Sequence, residues 1–215
     1  MGAPPKPVLP AKPSPVRVAA FVDGMNLFNW VKRCFGYQWP NYDIAKLAAA
    51  VVGMEPDRVL VETFFCVGIP RKLDDEKRHD QWTRQLAALG RSGVRVASRE
   101  LKRRELRIHL EGVVNFDQTV PRLQEKGVDL KMGLELVRLA NERAYDAAII
   151  FSQDGDLVEA AQEVRRIARE QGRWLQVECA YPIAPGVDSW PIKGTVRRQI
   201  TKTIYDACID PTDYR

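Results

Sequence analysis

One apolar segment that runs directly into an acidic turn constrains the fold of this chain most. Residues 147–151 read AAIIF, and the turn SQDGDL follows them. Apolar residues then recur at positions 157, 160, 161, 164, 167 and 168, which is the period of one helical face. A fully apolar strand that feeds a helix predicts a parallel sheet covered on both faces. In such sheets ligands bind beyond the carboxyl ends of the strands, where this acidic turn lies.

The rest of the chain repeats the alternation of strands and helices. The pattern predicts strands at residues 17–22, 58–66, 94–97 and, as the last strand, 173–180. It predicts helices at residues 27–35, 42–52, 74–89, about 130–144 and, after a Pro/Gly-rich loop, 195–206. Short connections between these elements favour a compact α/β domain.

Length and proline content divide the chain into three parts. At 215 residues it holds one domain with appendages. Prolines at positions 4, 5, 7, 10, 13 and 15 predict a disordered tail over residues 1–15, since proline suits neither helix nor ladder. We expect the domain itself at residues 16–182, with the loop and helix of residues 183–215 packed on it.

Composition narrows the class of protein and its compartment. Four scattered cysteines and two histidines, with no C-x-x-C spacing, argue against a structural zinc site and fit free thiols in the cytoplasm. The sequence contains no apolar run of about 20 residues and no signal-peptide core, so we expect no membrane partner. The formal charge of +5 is compatible with a polyanionic partner without establishing one. A homodimer is left open.

Four aspartates are predicted to meet at one rim of the sheet. Asp23 ends the first strand, Asp154 and Asp156 follow the apolar strand, and Asp129 opens the helix that leads into that strand. Because parallel strands end at the same edge, all four carboxylates converge there. Three of these aspartates also have a structural alternative as a helix cap: Asp23, or Asn26 in its place, for one helix, Asp129 for another and Asp156 for a third. Asp154 has no evident structural role.

Carboxylates this close together repel one another unless a cation lies between them. Oxygen ligands of this type suit Mg²⁺ or Mn²⁺, and such an ion can activate water and neutralise a phosphodiester during in-line attack. The sequence contains no P-loop, no G-x-G-x-x-G motif and too few histidines for a triad.

A basic segment interrupts the alternation at residues 101–119, LKRRELRIHLEGVVNFDQT. Its alternating basic and apolar residues predict a β-hairpin. The charges either form a solvated face or contact a phosphate backbone. The cations that we predict to bind RNA here and in the neighbouring segments are Arg99, Lys102, Arg103, Arg104, Arg107, Lys126 and Lys131.

Three segments together resemble the NYN domain, a LabA-like branch of the PIN-like nuclease superfamily. They are FVDGMNLF, KGVDLKMGLELVRLA and YDAAIIFSQDGDL, in that order, within a match over residues 17–180. The resemblance implies a Rossmann-like, PIN-type three-layer α/β fold whose central sheet is mainly parallel and has helices on both faces. It also implies a metal-dependent ribonuclease site.

Carried over residue by residue, the resemblance assigns the acids to Asp23, Asp129, Asp154 and Asp156. It assigns Asn26 and Ser152 as their polar companions, and we expect these two to orient a water molecule or a phosphate oxygen. Gln153 departs from the family, where glycine is frequent, and could narrow the approach to the metal.

The sequence therefore predicts a Mg²⁺- or Mn²⁺-dependent endoribonuclease. Two rivals stay open: a non-catalytic RNA- or protein-binding module with a structural ion, and a phosphotransfer enzyme. The second is disfavoured by Met25, where such enzymes commonly place a second aspartate two residues after the nucleophile.

Overall fold

The structure is a computed structural model that describes residues 10–109, 117–212 and 214. The side chains of residues 106–121 are not described. Six parallel strands form its central sheet in the order β3-β2-β1-β6-β7-β8. They are β1 Val16–Asp23, β2 Arg58–Ile69, β3 Arg95–Glu100, β6 Ala147–Phe151, β7 Gln176–Pro182 and β8 Val196–Ile200. The apolar strand of the opening motif is β6, and it pairs with β1 at the centre of the sheet.

Helices cover both faces of this sheet. They are α1 Gly24–Phe35, α2 Ile44–Val52, α3 Glu76–Arg91, α4 Val128–Asn141, α5 Val158–Glu170 and α6 Lys202–Asp206. Alternate residues of β1 point to opposite sides: Val18 and Ala20 contact the core under α1, α2 and α6, while Ala19 and Phe21 contact the core under α4 and α5. The predicted three-layer α/β fold is therefore confirmed.

A two-stranded antiparallel hairpin stands apart from the sheet, between β3 and α4. Its strands are β4 Lys102–His109 and β5 Asp117–Gln124. The predicted hairpin is confirmed in these paired strands, and the residues that join them lie outside the described part of the chain. Its return strand ends directly before Glu125 and so brings the KGVD segment back to the carboxyl edge of β2.

The C-terminal segment differs from its prediction. Instead of one helix over residues 195–206, residues Val196–Ile200 form β8, and only Lys202–Asp206 are helical. The strand predicted at 173–180 is β7 and is not the last strand, because β8 pairs with it in parallel. Arg198 explains the difference: this strand residue is buried and bound to Glu178 of β7 at 2.5 Å, so the inward face of β8 does not read as apolar.

Part of the predicted tail lies against the domain. Residues 1–9 fall outside the described residues, whereas the Lys12 ammonium is placed 5.7 Å from the centroid of the Trp174 ring and 3.8 Å from the Glu55 carboxylate. None of the helices in the described part of the chain combines the length and the hydropathy that a membrane span requires.

Candidate metal centre and nucleic-acid interface

An acidic pocket of about 260 Å³ opens at the carboxyl edge of β1 and β6. The residues that line it come from the end of β1, from the segment that joins β5 to α4, from the first turn of α4 and from the turn after β6. They are Asp23, Glu125, Lys126, Gly127, Asp129 and Asp154. Three of the four predicted aspartates thus meet at one site, as the direction of the strands predicts.

Asp23 is the most deeply buried acid of the pocket, at 4% exposure. Its Oδ1 accepts a hydrogen bond from the backbone N–H of Asn26 at 2.9 Å, which caps α1. Burial, with smaller contributions from the nearby Glu125 and Asp154, raises the pKa of the Asp23 carboxyl to about 7 against the opposing effect of the cap hydrogen bond. The Asp23 side chain therefore both caps α1 and lines the acidic pocket.

Asp129 lies in the first turn of α4 without capping it. The helix begins after Gly127, whose φ of 74° is left-handed, and no side chain caps it. The capping alternative for Asp129 is wrong, because its carboxylate faces the pocket instead.

In the turn after β6, the two aspartates have structural roles that differ from those expected from the sequence. Asp154 Oδ1 accepts the N–H of Asp156 at 3.0 Å and caps a single 3₁₀ turn at Gly155–Leu157. Asp156 is exposed and does not line the pocket. The expectation that Asp154 lacks a structural role is therefore wrong, although Asp154 does reach the pocket. The alternative of Asp156 as a helix cap is also wrong, because no side chain caps α5.

The two polar companions hold the turn in place. Asn26 Oδ1 accepts the backbone N–H of Gln153 at 2.9 Å, so Asn26 ties α1 to the turn and does not cap α1. Ser152 is 2% exposed, and its Oγ accepts the N–H of Asp154 at 3.1 Å. Neither side chain lines the acidic pocket, so both are positioned to orient the turn rather than a substrate.

Gln153 points toward the C-terminal loop. Its Nε2 donates to Ser189 Oγ at 3.1 Å and to the Trp190 carbonyl at 2.9 Å. It does not line the acidic pocket, so the expectation that it narrows the approach is wrong.

Glu125 is a carboxylate of the pocket that the sequence prediction missed. Its Oε2 accepts the backbone N–H of Gly68 in β2 at 2.6 Å. Burial raises the pKa of the Glu125 carboxyl, and Asp129 raises it further. Its position at the exit of the hairpin, two residues before the Gly-Val-Asp sequence, was the available signal.

A basic groove of about 420 Å³ adjoins the acidic pocket. Four of the seven predicted RNA-binding cations line it: Arg99, Lys102, Lys126 and Lys131. Lys126 lines both sites. Arg103 and Arg104 are exposed on β4 and do not line the groove, and the side chain of Arg107 lies outside the described residues.

Oxygen donors fit a hard divalent cation, which prefers carboxylates. Among the described side chains, which exclude those of residues 106–121, no three His, Cys, Asp or Glu residues form a compact metal-holding group. The carboxylates thus surround a pocket instead of meeting at one point. Asp23 is buried and lies near two further acids, and burial first and these acids second raise its pKa. A cation in the pocket would stabilise the charged form of this carboxylate.

Comparison with known proteins decides the family. The model of the NYN domain matches residues 17–172. The chain belongs to the NYN domain family of the PIN-like nuclease superfamily. A crystal structure of a protein of unknown function from Vibrio parahaemolyticus is also similar, with 15% identity, coverage of 94% of this chain and 96% of that one, and a TM-score of 0.45. No curated protein matches by sequence.

The NYN chain therefore carries a nuclease-type domain, and membership in this family accounts for the three segments that carried the resemblance. Its acidic pocket is built from all three of them or from the residues next to them: Asp23 in the first, Glu125 and Asp129 around the second, and Asp154 in the third.

Proposed function

We propose that this NYN protein is a Mg²⁺- or Mn²⁺-dependent endoribonuclease that hydrolyses RNA phosphodiester bonds. The observation that carries the proposal is the acidic pocket beside a basic groove, with Lys126 between them. The acids alone would repel RNA, and the cations alone would only bind it. Side by side they suit a backbone whose scissile phosphate lies over the acids.

Asp23, Asp129 and Asp154 would hold the cation, and Glu125 would add a fourth carboxylate. Asp156 stays in the proposal as an outer carboxylate, since it shares the turn of Asp154 but lies outside the pocket lining. A divalent ion bound there supplies charge neutralisation at the phosphate and a lowered pKa for water.

The remaining residues would bind and orient. Arg99, Lys102, Lys126 and Lys131 would hold the RNA backbone through its phosphates, while Arg103, Arg104 and Arg107 would extend this contact along the hairpin. Asn26 and Ser152 would keep the acidic turn in register with α1. The four cysteines are free thiols, which suits the cytoplasm that we propose as its location.

The test is cleavage of total RNA with Mn²⁺ or with EDTA, followed by sequencing of the cut ends. We expect cuts only with the metal, with 5′-phosphate and 3′-hydroxyl ends, and none from Asp129→Asn. Ends with a 2′,3′-cyclic phosphate would contradict the mechanism. Retained RNA binding by Asp129→Asn, with no cleavage by the wild type in any metal, would favour the rival function of a non-catalytic binding module.

A further inference from the structure

The loop that joins β7 to β8, residues 183–195, carries an exposed tryptophan. This residue, Trp190, is 68% exposed. Among the described residues, no hydrogen bond, ring contact or cation–π contact involves its side chain. An indole is one of the largest apolar groups in a protein, and such rings dominate the energetics of binding surfaces. Nothing in the proposed mechanism uses this ring.

The backbone around Trp190 is fixed, so the exposure of its ring does not come from a loose loop. Just before the ring, the Ser189 Oγ donates to the Pro182 carbonyl at 2.6 Å. At the ring, the Gln153 Nε2 donates to the Trp190 carbonyl at 2.9 Å. Just after it, Ile192 is 2% exposed and packs into the core. The fold therefore presents this indole to the solvent at a defined place.

Gln153 places Trp190 beside the acidic turn. It is the residue directly before Asp154, which lines the acidic pocket. The backbone N–H of Gln153 is itself held by Asn26 Oδ1 at 2.9 Å. One glutamine side chain and one peptide unit thus connect the Trp190 carbonyl to Asp154.

Three surfaces follow one another along the carboxyl edge of the sheet. The strand order there is β3-β2-β1-β6-β7. The basic groove includes Arg99 on β3, the acidic pocket lies at the ends of β1 and β6, and the Trp190 loop follows β7. Because neighbouring strands lie about 4.8 Å apart, β7 ends roughly 5 Å from β6 and roughly 10 Å from β1. An RNA strand that runs from the basic groove over the acids is therefore directed toward Trp190.

Positive charge lies next to the ring. Lys193 is exposed three residues after Trp190 and forms no ion pair with a described residue. Arg165 of α5 donates to the Gly194 carbonyl, and none of the described carboxylates pairs with it. Asp188 is the opposing charge on this loop. An aromatic ring combined with cations that follow the backbone is the arrangement that binds single-stranded nucleic acid.

We infer that Trp190 is a stacking platform for one unpaired base of single-stranded RNA, across the acidic pocket from the basic groove. The inference rests on the proposed function and deepens it, because it makes single-stranded RNA the substrate class. Gln153 is a positioning residue that acts through the Trp190 backbone, and Lys193 binds a neighbouring phosphate. Every base has a face that can stack, so the platform favours unpaired strands without reading their sequence.

Binding in EDTA tests the platform without a cleavage step. The probes are a short labelled RNA without self-complementarity and an abasic strand with the same phosphates, measured by fluorescence anisotropy. We expect the wild type to bind the RNA about tenfold more tightly than the abasic strand. Trp190→Ala should lose about tenfold in affinity for the RNA and stay within about twofold for the abasic strand. Trp190→Phe should keep most of the RNA affinity, because phenylalanine still offers a ring face.

Intrinsic fluorescence separates stacking from a structural effect. A base stacked on an indole quenches its emission, so Trp190→Phe should lose most of the quenching that RNA causes in the wild type. Trp174→Phe is the matched control, because Trp174 precedes β7 at the opposite edge of the sheet. Gln153→Ala should weaken RNA binding in the wild type but not in the Trp190→Ala background. Thermal unfolding of Trp190→Ala should match the wild type, since the ring is exposed.

Equal affinity of the wild type for the RNA and the abasic strand would overturn the inference, as would unchanged RNA affinity in Trp190→Ala. A dimer that Trp190→Ala dissociates without loss of RNA affinity would also overturn it, since the ring would then serve a protein contact. Failure of the nuclease proposal looks different, because RNA would remain uncut with Mn²⁺ while Trp190-dependent binding persisted.

Discussion

Glu125 shows how a single residue links the hairpin to the acidic pocket. Its carboxylate holds the Gly68 N–H and lies beside Asp129. One oxygen of Glu125 thus binds the β2 backbone, while the negative charge of the carboxylate adds to that of the acidic pocket.

Replacing Glu125 with glutamine should therefore stabilise the metal-free protein and weaken metal binding. The amide oxygen of the introduced glutamine can still accept the Gly68 hydrogen bond, but the repulsion with Asp129 and Asp23 is gone. We expect the free energy of unfolding in EDTA to rise by about 1 kcal/mol or less, measured by chemical denaturation. The exposed Glu105→Gln on β4 is the control. A destabilised Glu125→Gln would mean that its hydrogen bond matters more than its charge.

At the scale of elements, the carboxyl edge of β2 is closely packed against the hairpin exit. A Cβ built on Gly68 would lie 2.4 Å from Glu125 Oε2 and 2.5 Å from Leu101 Cδ2. An alanine here would therefore force the Glu125 and Leu101 side chains to move aside, which would disturb the hydrogen bond of Glu125 to the Gly68 N–H.

Gly68→Ala should lower both stability and RNA cleavage. We expect a loss of about 1–3 kcal/mol in the free energy of unfolding from overpacking. The cleavage rate should also fall, because the displaced Glu125 carboxylate lines the acidic pocket. Gly90→Ala in α3, where an added Cβ meets nothing within 4 Å, should be neutral or stabilising. Equal behaviour of the two alanine variants would contradict this packing.

Helix α4 is anchored to β3 through Glu135. Burial raises the pKa of the Glu135 carboxyl, but hydrogen bonds from Lys131, Arg138 and Arg95 outweigh it and lower this pKa to about 2. The Arg95 Nη1 lies 2.9 Å from Glu135 Oε2. The same Glu135 carboxylate accepts a hydrogen bond from Lys131, one of the cations that line the basic groove.

The stability that Glu135 contributes should depend on pH. Because its folded pKa lies below the ordinary value of 4.5, this contribution is complete above pH 4.5 and is lost as the pH falls toward 2. Denaturation from pH 6 to 2.5 should show the gap between wild type and Glu135→Gln closing with acid, whereas Glu163→Gln, in an exposed pair with Arg166, should show little gap at any pH. A constant gap for Glu135→Gln would contradict the lowered pKa.

At the scale of the whole molecule, a buried ion network joins strands that lie far apart in the sheet. Glu178 of β7 is fully buried, and it accepts from Arg58 of β2 and from Arg198 of β8. Glu55 binds the same Arg198 at 2.7 Å. The C-terminal strand is thus fixed to the domain through charge.

Glu178→Gln leaves two buried guanidinium groups without their shared carboxylate. We expect a loss of about 3–5 kcal/mol in the free energy of unfolding, measured by denaturant titration beside the exposed Glu170→Gln. A loss below about 1 kcal/mol would show that the attraction within the network only offsets the cost of burying its charges.

This network also marks the limit of the sequence prediction. The parallel sheet, the hairpin and the convergence of Asp23, Asp129 and Asp154 follow from apolar runs and strand direction, which the sequence displays. Strand β8 does not follow from the sequence in this way, because the buried Arg198 makes the inward face of this strand read as polar. Glu125 was missed because its partner Gly68 is 57 residues away, and the roles of Asp154 and Asp156 depend on a turn geometry that spacing alone does not fix.

The carboxylates that line the acidic pocket are central to the proposed function, because RNA cleavage is assigned to them. The most direct test is the initial rate of cleavage of one labelled single-stranded RNA with Mn²⁺, for wild type, Asp154→Asn and Asp156→Asn. An asparagine introduced by Asp154→Asn can still cap the 3₁₀ turn, so that change removes charge with little effect on fold. We predict a rate at least about 100-fold lower for Asp154→Asn, as for loss of a group that stabilises the transition state, and a smaller loss for the exposed Asp156→Asn. Full activity of Asp154→Asn would contradict the claim.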